Sequence, residues 1–320
     1  MIETPTVSVN LCCYNSEQYL EETLQSIFAQ TYGHWELIVV NDGSTDSTEA
    51  IIKRHMGEGH RIVYHYQANA GLAAARNKAI ELSQGEFIAL IDHDDLWHPE
   101  KLGRQVALFV ERPQVGLVYS KAAALISGNR TGLHAIDSPM YRGRVFIPLV
   151  LGNFVPCSSI VIRRIALDQV GWFNPGFSQV EEYDLSIRIA EKYEFDYVNE
   201  PLLTFRVHPR NSSWNGFNIQ SEMITLMRRV LERTPKLPCE LGVNVTRIKR
   251  AGLPCKLGQA YLLHGRLRAA HRWYGGLGKL VLALPRVVPL YLLSLVPSSA
   301  VVYLISWGYR LRKWVLIGSS

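Results

Sequence analysis

The sequence predicts an α/β protein built on a mostly parallel sheet, followed by a basic C-terminal region. Three observations carry that prediction. Between Val7 and about Val118, short apolar runs alternate with amphipathic stretches, the pattern of strand–helix units that pair into a parallel sheet. The chain has 320 residues, 48% hydrophobic and 19% charged, enough to bury a sizeable core and too apolar for disorder. Charge is split along the chain: residues 241–320 hold 12 Lys/Arg and no Asp or Glu, which leaves 22 bases against all 28 acids in residues 1–240, net −6. An acidic body with a basic tail argues against nucleic-acid binding and for a tail that faces a membrane.

The elements follow in order. Val7 to Leu11 reads as a buried strand, and Asn15 or Ser16 is expected to cap a helix running to about Ala29, with Tyr19, Leu20, Leu24, Ile27 and Phe28 on its apolar face. Glu36 to Val40 is a second strand. The turn Asn41-Asp42-Gly43-Ser44 leads to a helix opening near Asp46 or Ser47, and Arg61 to Tyr66 is a third strand. Gly71 precedes LAAARNKAIEL, a run of strong helix formers, and Glu86 to Ile91 is a fourth, almost wholly apolar strand. Pro99 opens a helix to about Val110, and Val115 to Tyr119 is a fifth strand. Regularity falls over residues 120–180. Glu181 to Lys192 reads as a helix, Phe195 to Pro201 as a strand, and a helix-rich segment begins near Asn218.

Cysteines 12, 13, 157, 239 and 255 form an odd set without a CxxC pair, so neither a disulfide framework nor a zinc ribbon is expected, and a reducing compartment fits. MIETPTVSVN has no basic run followed by an apolar stretch; no signal peptide is expected, and the body is expected in the cytoplasm.

In an open parallel sheet, ligands bind beyond the carboxyl ends of the strands. Those positions are polar here: Tyr14 and Asn15, Asn41 and Asp42, Asn69, then Asp92-His93-Asp94-Asp95. Three carboxylates within four residues raise one another's pKa unless a cation compensates, and Mg²⁺ or Mn²⁺, which take oxygen ligands and share substrate phosphates, would do so. A solvated acidic loop is the plainer alternative; the apolar strand before it favours metal. Asp42 sits where a carboxylate could accept hydrogen bonds from a base edge or a ribose. Tyr14 could stack on a base, although an aromatic after a strand is more often core. Arg76 could approach a diphosphate with its fork of donors, or be an exposed helix arginine. On the helix from Glu181, Glu182 shares a face with Leu185 and Ile189, whereas Asp184 and Arg188 are four apart and can pair. Glu182 is therefore the carboxylate expected in a cleft, in reach of an acceptor hydroxyl as general base; the alternative is that these acids only favour a helix N-terminus. His208 reads as a loop histidine.

VSVNLCCYNSEQYLEETLQSIFAQTYGHWELIVVNDGSTDST and NAGLAAARNKAIELSQGEFIALIDHDDLWHPEKL resemble the nucleotide-sugar-binding half of family 2 glycosyltransferases, over about Val7 to Leu102, with weaker similarity through GWFNPGFSQVEEYDLSIRIA to FRVHPRNSS. The resemblance implies a Rossmann-like sheet with helices on both faces (the glycosyltransferase A-type fold), an inverting reaction, a nucleoside-diphosphate sugar donor that is UDP-linked, and a divalent metal, Mg or Mn. It implies that Asp42 reads the base beside Tyr14, that Asp92 contacts the donor, that Asp94 and Asp95 hold metal, and that Glu182 is the catalytic base; Arg76 is added as a donor contact from its own chemistry. The family's Glu-Asp pair is Glu-Glu here, and Cys12-Cys13 replaces its more usual Pro-Thr. The implied organisation is a transferase domain over 1–215, with a donor half 1–120 and an acceptor half 121–215, and a basic helical region over 216–320. The rival reading is a non-catalytic nucleotide-sugar-binding or scaffold protein. A nucleotidyltransferase would want a Gly-rich phosphate loop with lysine, which CCYNSEQ does not offer.

Residues 287–309 are 23 uncharged positions, long enough to cross a bilayer but interrupted by Pro289 and Pro297. A span, a re-entrant hairpin or an interfacial pair all fit, as do two helices closing a soluble core. The flanking bases, with Trp307, Tyr309 and Trp314 beside them, favour the inner face of the cell membrane and a saccharide or lipid-linked saccharide acceptor, as in surface-polysaccharide assembly.

Overall fold

The structure, a computed structural model, describes residues 6–126, 132–135, 139–208 and 216–234. The chain divides into two compact units between Asn211 and Ser212. The first carries a sheet that is nine-stranded among the described residues. Its order is β3-β2-β1-β4-β8-β6-β9-β5, and β7 (Gly132–Ala135) pairs β6.

Residues 7–92 form the expected repeat. Strands β1 (Val7–Cys13), β2 (Trp35–Asp42), β3 (Ile62–Gln67) and β4 (Phe87–Asp92) are mutually parallel, with helices α1 (Leu20–Phe28), α2 (Thr48–Gly57) and α3 (Leu72–Leu82) as crossovers. Alternate residues face opposite layers. Val7, Val9, Leu11, Leu37 and Val39 pack with Leu20, Leu24, Ile27 and Ile52, and with Leu102, Val106 and Phe109 of α4 (Lys101–Glu111). Cys12, Ile38 and Val40 pack on the other face against Ala75 and Ala79 of α3. Each fully buried Leu, Ile or Val contributes about 1.5–3 kcal/mol, so helices on both faces are what these strands require. Register aligns the carboxyl ends: Cys13 lies opposite Asn41, Cys12 opposite Asp92, and Asp42 opposite Gln67.

Beyond β4 the sheet changes direction. Strand β8 (Val161–Arg163) runs antiparallel to both β4 and β6 (Val115–Ile126), and β6 pairs in parallel with β9 (Glu194–Val207). Short β5 (Leu96–Trp97) closes the order on β9. Both β6 and β9 run well past the expected strands at Val115–Tyr119 and Phe195–Pro201. Register shifts near Val115, Ser120 and Lys121 break the two-residue period there, so a reading by alternation stops early. Helices α5 (Phe146–Leu151), α6 (Arg164–Val170) and α7 (Glu181–Lys192) complete this half. As expected, Arg188 Nε donates to Asp184 at 2.8 Å on α7. Of the second unit, helix α8 (Gly216–Arg233) falls among the described residues. Among those residues no helix is long and apolar enough to cross a membrane; the segment 287–309 lies outside them.

The expected caps of α1 are used differently. Asn15 has φ +49°, and its side chain accepts from the Thr45 N–H at 2.9 Å. The Ser16 N–H donates to Thr48 Oγ1 at 2.7 Å and the Glu17 N–H to Asp46 at 3.0 Å. Short polar side chains that could begin a helix here lace residues 15–17 to residues 44–48, and α1 starts only at Leu20.

Candidate active site

The carboxyl ends of β1, β2 and β4 carry the candidate site. Asp42 ends β2 and is 4% exposed. Its Oδ1 accepts from Gln67 Nε2 at 2.7 Å and from the Ala70 N–H at 2.9 Å, and its Oδ2 from the Gly71 N–H at 2.9 Å. A carboxylate has about four acceptor positions, so one remains on Oδ2. Gly43 makes this approach possible: it has φ +79°, and a Cβ there would lie 2.7 Å from the backbone nitrogen of Asn69. Tyr14, at the end of β1, and Tyr66, near the end of β3, are both about half exposed.

At the end of β4 the acidic turn is held from behind. The Asp92 N–H donates to Ser158 Oγ at 3.0 Å, and that hydroxyl donates to Asp95 Oδ2 at 2.6 Å. The Arg206 N–H donates to Asp95 Oδ1 at 3.1 Å, and Thr23 Oγ1 donates to the carbonyls of His93 and Asp95, both at 2.9 Å. Asp95 is 1% exposed. Burial, then the charges of Asp92 and Asp94, push its carboxyl well above the usual range, against the two hydrogen bonds. Asp95, expected as a metal ligand, has each carboxylate oxygen accepting one of these hydrogen bonds, and through them it positions the turn.

Asp94 has a different neighbour. His208 Nε2 lies 2.9 Å from Asp94 Oδ2, and the imidazole stacks on Tyr19 with centroids 4.7 Å apart. His208 was expected to be a loop histidine; its position at the end of β9, beside the acidic turn, makes it part of the site. Arg206 also donates through Nε to the Asp94 carbonyl at 3.0 Å and lies over the Tyr19 ring. Asp94 and His208 are thus two donors of the kinds that divalent ions take, side by side at the end of the turn.

Arg76 is the centre of the arrangement. It sits on the second turn of α3, 4% exposed. Its NH1 donates to Glu181 Oε1 at 2.7 Å, and its NH2 to Asp92 Oδ1 at 2.8 Å and to Cys157 Sγ at 3.0 Å. The neighbouring acidic groups hold the guanidinium's pKa well above its ordinary value in spite of burial. Arg76 is therefore not the exposed helix arginine of the plainer reading. Arg76 joins the acidic turn after β4 to the acids that begin α7.

Of those acids, Glu181 is buried and takes the arginine, while Glu182 is only partly buried. Burial, and next the charge of Glu181, raise the Glu182 carboxyl to about 8, with Arg76 acting in the opposite direction. A partly exposed carboxylate with that value, next to Arg76, suits proton abstraction near neutral pH. Glu181 as the arginine's partner was missed, because helical periodicity alone cannot say which neighbouring acid meets a residue 105 positions away. Ser158 was missed for a related reason: it lies in the irregular stretch, in a short 3-10 turn (Cys157–Ser159) with no motif around it. Burial pushes the Cys12 thiol up to about 12 and raises Cys13 and Cys157 as well; Cys12 and Cys13 pack in the core, and Cys157 accepts from Arg76.

Comparison with known proteins places this geometry in context. Residues 8–171 match the sequence profile of Glycosyl transferase family 2. An uncharacterized glycosyltransferase of Rickettsia typhi is 28% identical over 237 residues, 73% of this chain and 74% of that protein. TuaG of Bacillus subtilis, named as a glycosyltransferase of teichuronic acid biosynthesis, is 42% identical over 109 residues, 34% of this chain and 43% of TuaG. Among solved structures, S. aureus TarS 1–349 in complex with UDP-GlcNAc superposes with a TM-score of 0.63 at 19% identity, over 89% of this chain and 83% of that one. The mannosyltransferase PcManGT of Pyrobaculum calidifontis, in complex with GDP-Man and Mn²⁺, gives a TM-score of 0.59 at 18% identity, over 98% and 84%.

Proposed function

The chain belongs to glycosyl transferase family 2, with the glycosyltransferase A-type fold, and from that premise we propose that it is an inverting enzyme using a UDP-linked sugar and an acceptor hydroxyl. The observation that carries this reading is the Arg76 bridge. One guanidinium bonded to Asp92 and to Glu181 joins the acidic turn to the start of α7, with Glu182 beside the arginine.

The roles follow from the chemistry of each group. Tyr14 offers a stacking surface for the base, and Asp42 an open acceptor position for a base N–H. Arg76 supplies positive charge next to Asp92, where the diphosphate would lie. A divalent ion, Mg²⁺ or Mn²⁺, would be held at the acidic turn, with Asp94 as its ligand. When bound, that ion would neutralise charge on the leaving diphosphate. Glu182 takes the proton of the acceptor hydroxyl as its oxygen bonds to the anomeric carbon. The bond from that carbon to the diphosphate oxygen breaks on the opposite side, its electron pair leaves with the nucleotide, and the carbon inverts.

Replacing Glu182 with Gln tests the assignment. The variant is expected to bind nucleotide sugar normally and to lose transfer by about 10²–10⁴-fold; wild-type turnover would remove Glu182 from the reaction. Asp94→Asn should weaken the metal dependence of donor binding, and an unchanged metal titration would count against Asp94. The expected acceptor is a saccharide, free or lipid-linked, met at the inner face of the cell membrane through the basic tail. Flotation of the full chain with anionic vesicles, lost with zwitterionic ones or at high salt, would support this; no flotation on either would leave a soluble acceptor.

A further inference from the structure

Away from the crevice, at the end of α2 that leads into the first residue of β3, the sequence reads His55-Met56-Gly57-Glu58-Gly59-His60. The helix ends in a Schellman arrangement. The His60 N–H donates to the His55 carbonyl and the Gly59 N–H to that of Met56, both at 3.2 Å, and Gly59 takes the left-handed φ of +92° that the motif needs. The first and last residues of this motif commonly form an apolar contact. Here both are imidazoles, 5.6 Å apart between centroids, with a glutamate between them in sequence. One ligand atom from each of His55, Glu58 and His60 lies within 4.8 Å of the others.

His55 supplies the second, independent observation. It is 4% exposed, yet no hydrogen bond reaches its Nδ1. Glu58 Oε2 is 3.1 Å from that nitrogen but without the alignment of a hydrogen bond. The other ring nitrogen, Nε2, lies 3.2 Å from both carboxylate oxygens of Glu21 on α1. His60 is fixed from the far side by Phe28, stacked at 3.8 Å and 4°. A buried histidine with one nitrogen on a carboxylate and the other turned to a second imidazole and a carboxylate has the geometry of a metal ligand with its outer-shell partner.

We propose that His55, Glu58 and His60 bind a zinc-class divalent cation, Glu21 holding the His55 ring so that its Nδ1 lone pair faces the ion. Two imidazole nitrogens and a carboxylate, completed by water, make a four-coordinate shell that favours Zn²⁺ over Mg²⁺. The site lies at the amino ends of the strands, opposite the crevice, and fastens the end of α2 to α1.

Equilibrium dialysis of the full chain against Zn²⁺ after chelation, with bound metal quantified, tests the proposal in the wild type, His60→Ala, Glu58→Gln and Asp94→Asn. His60 and Glu58 are exposed, so these two substitutions leave the core intact. Each is expected to lose one Zn²⁺ equivalent or weaken it at least tenfold, whereas Asp94→Asn retains it. The Zn²⁺-dependent rise in thermal midpoint should vanish in His60→Ala while its transfer activity stays at the wild-type level. Glu21→Gln should weaken binding by about 10–100-fold. Equal zinc uptake in the wild type, His60→Ala and Glu58→Gln, or uptake abolished by Asp94→Asn alone, would overturn the proposal and leave His55 as an imidazole clamped between two carboxylates.

Discussion

Replacing Arg76 with Met removes a charge while keeping an unbranched side chain of similar length, and the cost can be worked from its partners. Glu181 is 2% exposed and bonded to Arg76 at 2.7 Å. Breaking a buried pair by deleting one partner typically costs about 3–5 kcal/mol, because the remaining charge stays desolvated. Asp92 is 33% exposed and can be rehydrated, so its share is about 0–1 kcal/mol. The Glu181 contribution dominates, and a total near 4 kcal/mol is expected. Urea unfolding followed by circular dichroism should show a lower midpoint with an unchanged slope. The cause has its own signature: in an Arg76→Met, Glu181→Gln double variant, most of the loss should return. Lowering the pH should narrow the gap between Arg76→Met and wild type, since a carboxylate stripped of its cation protonates at higher pH. A loss below about 1 kcal/mol, or a deficit indifferent to Glu181→Gln, would refute the idea that one arginine holds the two acidic segments together.

Further outcomes follow from the same geometry. With Glu182 raised to about 8, transfer should climb about tenfold per pH unit below 8 and level off above it, a limb absent from donor binding measured alongside. The same shift fixes a stability effect. The folded state holds this proton more tightly than the unfolded chain, so the favourable contribution is complete below about 4.5 and is lost as pH rises through 8; Glu182→Gln should flatten that slope in thermal melts. Gly43→Ala combines a left-handed φ with a 2.7 Å clash on the Asn69 backbone, and should cost more than about 1 kcal/mol and raise the donor KM. Gly85→Ala would put a Cβ 2.6 Å from the Ser8 backbone nitrogen; it should destabilise by about 1–3 kcal/mol without a selective loss of donor binding. Ser158→Ala removes the hydroxyl shared by Asp92 and Asp95 and should lower affinity for metal and donor together, read by calorimetry.

Residues 7–92 were legible because their strands and helices are stated twice, in hydrophobic period and in the polar residues that end each strand. Glu36 to Val40 and Glu86 to Ile91 fall within the observed β2 and β4 apart from Glu86, one residue early. The other half was less legible where pairing, not local pattern, decides. Strand β8 has three residues and exists because β4 and β6 flank it; β5 has two and depends on β9. The site divides the same way. Asp42, Asp92 and Asp94 follow strand ends that the hydrophobic pattern already marks, whereas the partnerships of Arg76 with Glu181, of Asp95 with Ser158 and of Asp94 with His208 join residues 63 to 114 apart, which no spacing rule encodes.

The three hydrogen bonds from residues 67–71 to Asp42 have a practical corollary for engineering. Two of them come from the backbone that opens α3, so this carboxylate seats the helix on which Arg76 rides. Altering it would disturb the seat of Arg76 as well as the carboxylate that the proposed function sets against the base. Attempts to redirect the enzyme from one nucleotide to another are better begun at Tyr14 and Tyr66, whose rings are free to change without unseating anything beneath them.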